Sequence, residues 1–383
     1  MKVVVAHNRY SSAQPSGENT IVDSEIGQLR AAGVEVLPFL RSSDEIASLP
    51  AVRKALLPIS PIYAGPAQRA LRDLLRANRP DVVHLHNPYP LLSPWVVRTA
   101  HAAGVPVVQT VHNYRQVCAS GIFYRDGHDC TDCAGRLIGV PAVVHACYRG
   151  SRPQSAVMAT ALAVHRPTWR SVDRYIALTD AIAEHLVGYG IAVDRIVVKP
   201  NSVPDPGEPA PPGDGFLFLG RLEEQKGVTL LLEAWRRHPA GSLGTLRIGG
   251  AGPLRPVVES AAASRTDVVF LGTLDGTGVR AAMRDASVLL APSTWRDVLP
   301  TVVLEALASG RPVLGTRMGG IPYLVGDAGW VVEPTADALA AMLPVARAEA
   351  PRLGSVARGR YLRMFHPDVV TSSLLAIYRS LSS

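Results

Sequence analysis

Long apolar runs are missing from this sequence. The first residues, MKVVVAHNRY, contain only the short apolar stretch VVVA after one lysine, far short of the core of a secretory signal peptide. No segment approaches the roughly 20 consecutive apolar residues that a membrane-spanning helix needs. We therefore expect a cytoplasmic protein, and its basic charge leaves open a peripheral contact with the inner face of the membrane.

Blocks of basic charge are missing as well. The formal net charge is +7, but the basic residues are spread along the chain and do not alternate with aromatic residues as they do in nucleic-acid modules. We therefore expect no nucleic-acid partner. With 383 residues, 47% of them hydrophobic and 19% charged, the chain is long enough for two or three globular domains.

Short β-branched runs alternate with helix-like segments along nearly the whole chain, which is typical of parallel βαβ units. The predicted strands are KVVVAHN, GVEVLPF, DVVHLHN, VPVVQTVHN, RYIALT and IVVKPN in the first half, and GFLFLG, TLRIGG, DVVFLG, SVLLAPS and RPVLGT in the second. Between the two sets, residues 201–215 are rich in proline and glycine and predict a linker.

The pattern predicts an α/β protein with two doubly wound, Rossmann-like domains, residues 1–199 and 200–365. In open parallel sheets, ligands bind beyond the carboxyl ends of the strands, and the polar motifs of this sequence follow predicted strands. We therefore expect the two domains to face one cleft. An amphipathic helix over 366–383 is expected to return to the N-terminal domain.

Two acidic residues, Asp297 and Glu305, are separated by seven residues in STWRDVLPTVVLEALASG. In one continuous helix they would lie about 80° apart around the axis and about 12 Å apart along it, a poor arrangement for a pair. Pro300 favours a helix that begins beside it, which leaves Asp297 in the preceding loop and Glu305 in the second turn. Both acids then lie near a helix N-terminus, so the stretch suits a ligand with phosphate and hydroxyl groups.

Two basic residues, Arg221 and Lys226, stand five positions apart in FLFLGRLEEQKGVTLLLEAW, where a predicted strand leads into a helix. Such a pair suits a diphosphate, because arginine offers a planar fork of donors and lysine a point charge. The alternative is a solvated, charged loop. The acidic stretch described above follows another strand of the same half, and it favours a ligand site.

Together these segments resemble the nucleotide-sugar half of the retaining GT-B glycosyltransferases of glycosyltransferase family 4. The resemblance rests on GRLEEQKG, PSTWRDVLPTVVLEALASGRPVLGTRMGGIPYLV, IGGAGPLR, VKPNSV and DAGWVVEP, and in the first half on PSGENTIVDSEIGQLRAAGVEV and DVVHLHN with VPVVQTVHNY. It implies the GT-B fold and a role in glycan biosynthesis. The implied reaction moves a sugar from a UDP- or GDP-linked donor to a hydroxyl of a glycan, lipid or small-molecule acceptor.

On the donor side, the resemblance implies that Arg221 and Lys226 bind the diphosphate and that Glu305 holds the ribose hydroxyls. Asp297 stands where the family usually has a glutamate that touches the donor sugar, and its side chain is one methylene shorter. The alternative role for Asp297 is to cap the helix through its side chain. Further donor contacts are expected from Gly17 in the loop after the first strand, Gly220, Val298, and the amides of Leu299 and Thr301.

The first half is expected to hold the acceptor. His84 and His86 share one face of a predicted strand, and His112 follows another strand. The resemblance implies that His112 contacts the transferred sugar, and we count it as catalytic together with Asp297, Arg221 and Lys226. Our candidates for acceptor binding are His86, Asn113 and Glu18. A single polar residue at a strand end is often only the partner of a neighbouring loop.

Cysteines are few, and all four fall within thirty residues with the spacing C-x11-C-x2-C-x13-C: Cys118, Cys130, Cys133 and Cys147. The C-x2-C spacing is common among zinc ligands, and a reducing cytosol disfavours disulfides. We favour a structural zinc over free or buried thiols, and both over a disulfide or redox role. Some bacterial members of the family share such an insertion, here 118–147, which favours a staple for a lid or an acceptor loop over a catalytic zinc.

The D-x-D metal motif of other glycosyltransferases is missing at any credible position. Arg221, Lys226 and a helix N-terminus can neutralise a departing diphosphate, so we expect no catalytic metal. Two alternatives to a glycosyltransferase remain: a sugar-nucleotide epimerase of the same fold, and a catalytically silent nucleotide-sugar-binding protein, which the shortened acid at Asp297 suggests. The sequence does not determine the base, the sugar, the acceptor or the oligomeric state.

Overall fold

The computed structural model describes residues 1–12, 16–51, 54 and 57–381. They form two compact units. The first contains Met1–Phe123, Cys130–Pro200 and the chain from Val370 onward, and the second contains Tyr124–Asp129 and Asn201–Val369. The short segment Tyr124–Asp129 therefore lies in the second unit, although we expected all of 118–147 in the N-terminal domain.

A parallel sheet forms the centre of the first unit. In chain order its strands are β1 (Lys2–Arg9), β2 (Glu35–Ser42), β3 (Val82–Leu85) and β4 (Val107–Val111), and then, after the hairpin strands β5 (Tyr124–Arg125) and β6 (His128–Asp129) of the second unit, β7 (Arg174–Ala177) and β8 (Ile196–Val198). Their order across the sheet is β2-β1-β3-β4-β7-β8. The β-branched residues of the inner strands are buried on both faces, as expected when helices cover both sides of a sheet.

The helices of the first unit are α1 (Gly17–Ala31), α2 (Glu45–Ser48), α3 (Gly65–Asn78), α4 (Trp95–Ala102), α5 (Val140–Val144), α6 (Arg152–Val164), α7 (Arg166–Arg170) and α8 (Asp180–Tyr189). Helix α1 buries Val22, Ile26 and Leu29 at helical spacing against the valines of β1. This packing places Glu18 and Glu25 near the end of the sheet that also carries His84 and His86.

A second parallel sheet forms the centre of the second unit, with the order β11-β10-β9-β12-β13-β14. Its strands are β9 (Phe216–Leu219), β10 (Leu246–Gly249), β11 (Val268–Gly272), β12 (Val288–Ala291), β13 (Val313–Thr316) and β14 (Gly329–Val332). Its helices are α9 (Val228–Arg236), α10 (Arg255–Ser264), α11 (Gly276–Arg284), α12 (Thr301–Ala308), α13 (Ile321–Val325) and α14 (Ala336–Met364). The predicted α/β architecture of two doubly wound sheets is confirmed.

The last helix, α15 (Pro367–Arg379), contributes Leu374, Ile377 and Tyr378 to the core of the first unit. These residues recur at helical spacing, as the sequence predicts for an amphipathic helix. Within the described part of the chain, no helix is both long and apolar enough to cross a membrane.

Each sheet has one point at which the strand order reverses. In the first unit the chain passes from β1 to β2 and then to β3, which lies on the other side of β1. In the second unit it passes from β9 through β10 and β11 and then to β12, which lies on the other side of β9. Doubly wound sheets bind ligands beyond the carboxyl ends of the strands at such points. The two reversal points therefore locate the candidate site residues in each unit.

Candidate functional site

The loop after β9 closely approaches the loop after β12. The chain leaves β9 through Gly220 and Arg221, makes a single 3-10 turn at Glu224–Lys226, and enters α9. Gly227 is the N-cap residue of that helix and has a φ of +74°. A Cβ added there would lie 1.8 Å from the carbonyl oxygen of Pro292. Glycine is therefore required for this approach.

The two predicted diphosphate ligands have different surroundings. The side chain of Arg221 is 57% exposed and pairs with Glu223, whose Oε1 lies 2.8 Å from its Nη1. The side chain of Lys226 is only 20% exposed, and its Nζ lies 2.5 Å from Oδ2 of Asp297 and 5.3 Å from the ring centre of Trp295. Arg221 is accessible to a ligand, whereas Lys226 is engaged with the acid that we assigned to the donor sugar.

The proposed capping role of Asp297 is not what the structure shows. Pro300 occupies the N-cap position of α12, without a side-chain cap hydrogen bond, and the carboxylate of Asp297 faces Lys226 instead. The backbone carbonyl of Asp297 accepts a hydrogen bond from the amide of Gly320 at 2.7 Å. Gly319 has a φ of +54°, and a Cβ there would lie 2.2 Å from the same carbonyl oxygen. The glycine pair holds the backbone of this loop in place.

Helix α12 begins at Thr301, beside Pro300, as the sequence predicts. Glu305 lies in its second turn, and burial raises the pKa of this carboxyl to about 7. Among the residues that the structure describes, no hydrogen bond or ion pair reaches its carboxyl group, which can therefore serve a ligand. Val298 and Leu299 have buried side chains, so only their backbone groups remain for ligand contacts.

The polar end of the first sheet contains a buried network around Glu25. Oε1 of Glu25 lies 3.1 Å from Nδ1 of His84 and 3.2 Å from Nε2 of His86, and its Oε2 lies 3.4 Å from Nζ of Lys199. The hydroxyl of Tyr378 is hydrogen-bonded to Nδ1 of His84 at 2.6 Å. Burial opposes ionisation of Glu25, but His84 and Lys199 outweigh it and hold the pKa of Glu25 well below its usual range.

The predicted residues His86 and His112 are brought together. Nδ1 of His86 lies 2.9 Å from Nε2 of His112, and the two rings are stacked with their centres 5.2 Å apart. Burial, reinforced by neighbouring histidines, lowers the pKa of His86 to about 4 and holds that of His112 well below its usual range. Both imidazoles are therefore neutral near pH 7, where they can hydrogen-bond to hydroxyl groups.

Glu18, Asn113 and Gly17 lie near the same end of this sheet. Gly17 is the first residue of α1, with Ser16 as its N-cap residue. Burial raises the pKa of Glu18 to about 7, although Arg115 and a hydrogen bond from the hydroxyl of Tyr10 favour its ionised form. The side-chain oxygen of Asn113 accepts a hydrogen bond from the amide of Arg115 at 3.1 Å. Of Glu18 and Asn113, Glu18 is thus the more available to an acceptor.

The cysteine-rich segment does not form a ready zinc site. None of the four cysteines is in a disulfide, and all four have intermediate burial. Burial, reinforced by the other three thiols, raises the pKa of Cys133, so the four interact. Sulfur ligands of one tetrahedral zinc would lie about 3.8 Å apart, whereas among the described residues only Glu25, His84 and His86 place three ligand atoms within 4.8 Å of one another. The structural zinc remains a prediction.

The group formed by Glu25, His84 and His86 also fits a metal poorly. The ammonium group of Lys199 lies 3.4 Å from the Glu25 carboxylate and would repel a cation there. The lysine already supplies the positive charge that the buried carboxylate needs. We interpret this cluster as structural support for His86 and His112.

Two families described from many sequences match this chain. Residues 16–202 match the Glycosyl transferase 4-like domain, and residues 213–344 match Glycosyl transferases group 1. Together these matches span most of the chain, in the order that the resemblance requires. The chain belongs to the group 1 glycosyltransferases.

The relatives of this glycosyltransferase include phosphatidyl-myo-inositol mannosyltransferases. That of Mycobacterium leprae is 26% identical over 405 residues, which span 98% of this chain and 96% of the relative. That of Mycobacterium tuberculosis H37Rv is 31% identical over 184 residues, spanning 44% of this chain and 48% of the relative.

Solved structures show the same fold at low sequence identity. HepE of Anabaena, crystallised in complex with UDP, has a TM-score of 0.69 and 14% identity. The match covers 99% of this chain and 100% of HepE. Sucrose-phosphate synthase of Thermosynechococcus elongatus has a TM-score of 0.70 and 19% identity, with 99% of this chain and 98% of the synthase covered. The fold of this glycosyltransferase is therefore GT-B.

Several residues of these clusters are not predicted from the sequence, chiefly Glu25, Lys199 and Arg115. Glu25 lies seven positions after Glu18, on the same face of α1, and this spacing could have identified it. Lys199 directly follows β8 and could have been found as another polar residue at a strand end. Nothing in the sequence pairs either lysine, Lys199 or Lys226, with its acidic partner.

Proposed function

We propose that this glycosyltransferase moves a sugar from a UDP- or GDP-linked donor to a hydroxyl of a glycan, lipid or small-molecule acceptor, with retention of configuration at the anomeric carbon. The observation that carries the proposal is the arrangement of charged side chains where the strand order of the second sheet reverses: Arg221, Lys226, Asp297 and Glu305. Cations, acids and a helix N-terminus meet there.

Arg221 and Lys226 serve the diphosphate in this proposal. The guanidinium of Arg221 is exposed and can form a charge-assisted fork with phosphate oxygens. Phosphate would compete with Asp297 for the ammonium of Lys226, which frees the Asp297 carboxylate to accept a hydrogen bond from a sugar hydroxyl. HepE of Anabaena has been crystallised with UDP and with UDP-glucose, which supports a donor of this class.

Glu305 serves the ribose. Its carboxyl lies in the second turn of α12, with its pKa raised to about 7 by burial, and hydrogen bonds from two ribose hydroxyls would favour the ionised form. Binding of the nucleoside is therefore expected to lower the pKa of Glu305 and to release a proton near neutral pH.

The transfer step breaks the bond between the anomeric carbon and the phosphate oxygen. The acceptor oxygen forms its new bond on the same face of the sugar, and its proton passes to the departing phosphate. Arg221, Lys226 and the start of α12 offset the charge that develops on the diphosphate, so the proposal needs no catalytic metal.

The acceptor binds to the first unit in this proposal, at the end of the sheet that carries His86, Asn113 and Glu18. His112 keeps its proposed contact with the transferred sugar, as a neutral imidazole. Relatives that are named for phosphatidyl-myo-inositol support a hydroxyl-bearing acceptor, including one attached to a lipid.

A thermal-unfolding panel with UDP, GDP, TDP and ADP sugars tests the donor. A true donor at about 100 times its dissociation constant stabilises the folded protein by about 2.7 kcal/mol. NMR of the product then reports the anomeric configuration. Binding without turnover would support a silent binding protein, an inverted product would overturn retention, and no stabilisation by any nucleotide sugar would overturn the donor site.

A further inference from the structure

A small polar pocket lies at the same end of the first sheet, between the start of α1 and the segments that follow β3 and β4. It has a volume of about 20 Å³, which is room for roughly one water molecule. Its lining includes Glu18, Gln109, Arg115 and Gln116, together with the predicted site residue His112. All of these residues belong to the first unit.

Seven buried polar atoms on residues that line the pocket have no hydrogen-bond partner among the described residues: Oε1 of Glu18, Nε2 of His86, the hydroxyl of Tyr89, Oε1 of Gln109, Nε of Arg115, Oε1 of Gln116 and Nε1 of Trp169. Gln109 and Gln116 are only 3% and 5% exposed. A buried polar atom without a partner is unfavourable, and few are found in native structures. Seven of them on the residues around one small space indicate a polar occupant.

The chemistry of the lining selects the occupant. The oxygens of Glu18, Gln109 and Gln116 accept hydrogen bonds. Arg115 and Trp169 offer N–H donors, and the hydroxyl of Tyr89 can donate or accept. Arg115 would repel a metal ion, the Glu18 carboxyl disfavours an anion, and the volume excludes a phosphate or carboxylate group. A hydroxyl group fits, because it donates through its hydrogen and accepts through its oxygen.

The position of the pocket connects this hydroxyl to the reaction. His112 and Asn113 line the pocket, and we propose the first for the transferred sugar and the second for the acceptor. We infer that the pocket receives a hydroxyl of the acceptor other than the one that attacks, so the acceptor is a polyhydroxylated compound such as a sugar or cyclitol. This inference rests on the proposed function of the site.

The test uses the full-length enzyme with two acceptor probes that have the same alkyl tail. Octyl β-D-glucoside carries several hydroxyls, and 1-octanol carries one. We expect the enzyme to prefer the glucoside by about tenfold or more in kcat/KM, which corresponds to about one charge-assisted hydrogen bond. Equal use of the two probes, or use of neither while the donor is hydrolysed, would overturn the inference.

Gln116→Met and Gln109→Met remove one acceptor oxygen each at similar volume, and Gln154→Met, on the exposed side of α6, is the matched control. We expect either pocket variant to raise KM for the glucoside by about tenfold and to leave KM for the donor unchanged. Because an unsatisfied buried oxygen is removed, the melting temperature of the free protein should be equal or higher.

A structural water is the competing occupant, and the same variants separate the two cases. If the pocket holds only a water bonded to Gln116, the Met variant melts at a lower temperature and keeps its preference for the glucoside, which would overturn the inference. Release of nucleoside diphosphate in the absence of acceptor is measured in parallel. If no donor is bound or hydrolysed, the proposed donor function fails, and that failure is separate from the result for the pocket.

Discussion

Nζ of Lys226 lies 2.5 Å from Oδ2 of Asp297, although 71 positions separate the two residues in the sequence. The pair joins the loop after β9 to the loop after β12, and both side chains are mostly buried. A buried pair is strongly destabilised when one partner is removed, because the remaining charge loses its compensation. In this glycosyltransferase the same two groups are proposed to act on the donor.

Lys226→Ala and Arg221→Ala should each lower kcat/KM for transfer by more than about tenfold, because each removes a charged partner of the diphosphate that contributes about 1.5 to 3 kcal/mol. Only Lys226→Ala should also lower the melting temperature, since Asp297 then stays buried without its partner. Arg255→Ala, which removes an exposed arginine of α10, is the control. Near-normal transfer in both site variants would contradict the donor assignment.

Asp297→Asn should lower turnover much more than the affinity for UDP or GDP. The amide keeps the size of the side chain but loses the charge that would hold a sugar hydroxyl and that pairs with Lys226. Isothermal titration with the nucleoside diphosphate and steady-state kinetics separate the two effects. Equal losses of nucleotide affinity and turnover would mean that Asp297 acts mainly by holding Lys226 in position.

Glu305→Gln should change the pH dependence of stability. Burial raises the pKa of the folded carboxyl from 4.5 to about 7, so between these pH values the folded state binds more protons than the unfolded state and stability falls as the pH rises. The variant lacks this loss of stability, so relative to pH 5 it should gain on the parent above pH 7, by about 3.4 kcal/mol at most. Urea unfolding at pH 5 and pH 8 measures the difference. A constant difference at both pH values would argue against a buried, titrating Glu305.

The first unit should lose stability in acid. Burial lowers the pKa of His86 to about 4 and that of His7 to about 3, from an ordinary value of 6.5. The stability linked to these neutral imidazoles is fully present above pH 6.5 and is lost as the pH falls towards 3. His7→Gln should flatten this dependence, whereas His128→Gln, in the exposed hairpin, should not. Parallel curves for the parent and His7→Gln would refute this account.

Protein purified without added metal should contain about one zinc per chain if the four cysteines bind zinc, because thiolate ligands couple metal binding to local folding. Cys133→Ser should then lose the metal. The sulfurs would have to approach one another more closely than they do here. Absence of metal, with all four thiols reacting readily in the native protein, would leave these cysteines as free thiols.

The fold was predictable because most of its strands can be recognised from a short local run of residues. Eleven β-branched runs in the sequence correspond to strands of the two sheets, and their alternation with helices fixes the parallel arrangement. Strand β14 was missed, because GWVV is short and begins with glycine. The strands of the hairpin at Tyr124–Asp129 have two residues each, too few for any periodic pattern.

The site was predictable only in part, because local patterns identify single residues but not the distant residues that they contact. Strand ends and the proline before α12 identify Arg221, Asp297 and Glu305 as neighbours of a ligand from local pattern alone. The partner of each charged side chain depends on packing between segments that are distant in the sequence, as the ion pair of Lys226 with Asp297 shows. The unpartnered oxygens of Gln109 and Gln116 are likewise invisible in sequence, because glutamine in or after a strand usually has a partner.

The position of α15 has a consequence for biosynthesis. Its residues Leu374, Ile377 and Tyr378 belong to the core of the first unit, whose other core residues are made before position 200. A ribosome delivers the chain from its N-terminus, so the first unit must wait for the whole second unit to be translated before its core can close. Until then the nascent chain lacks the part of this core that α15 supplies. We expect the chain to be most prone to aggregation in that interval.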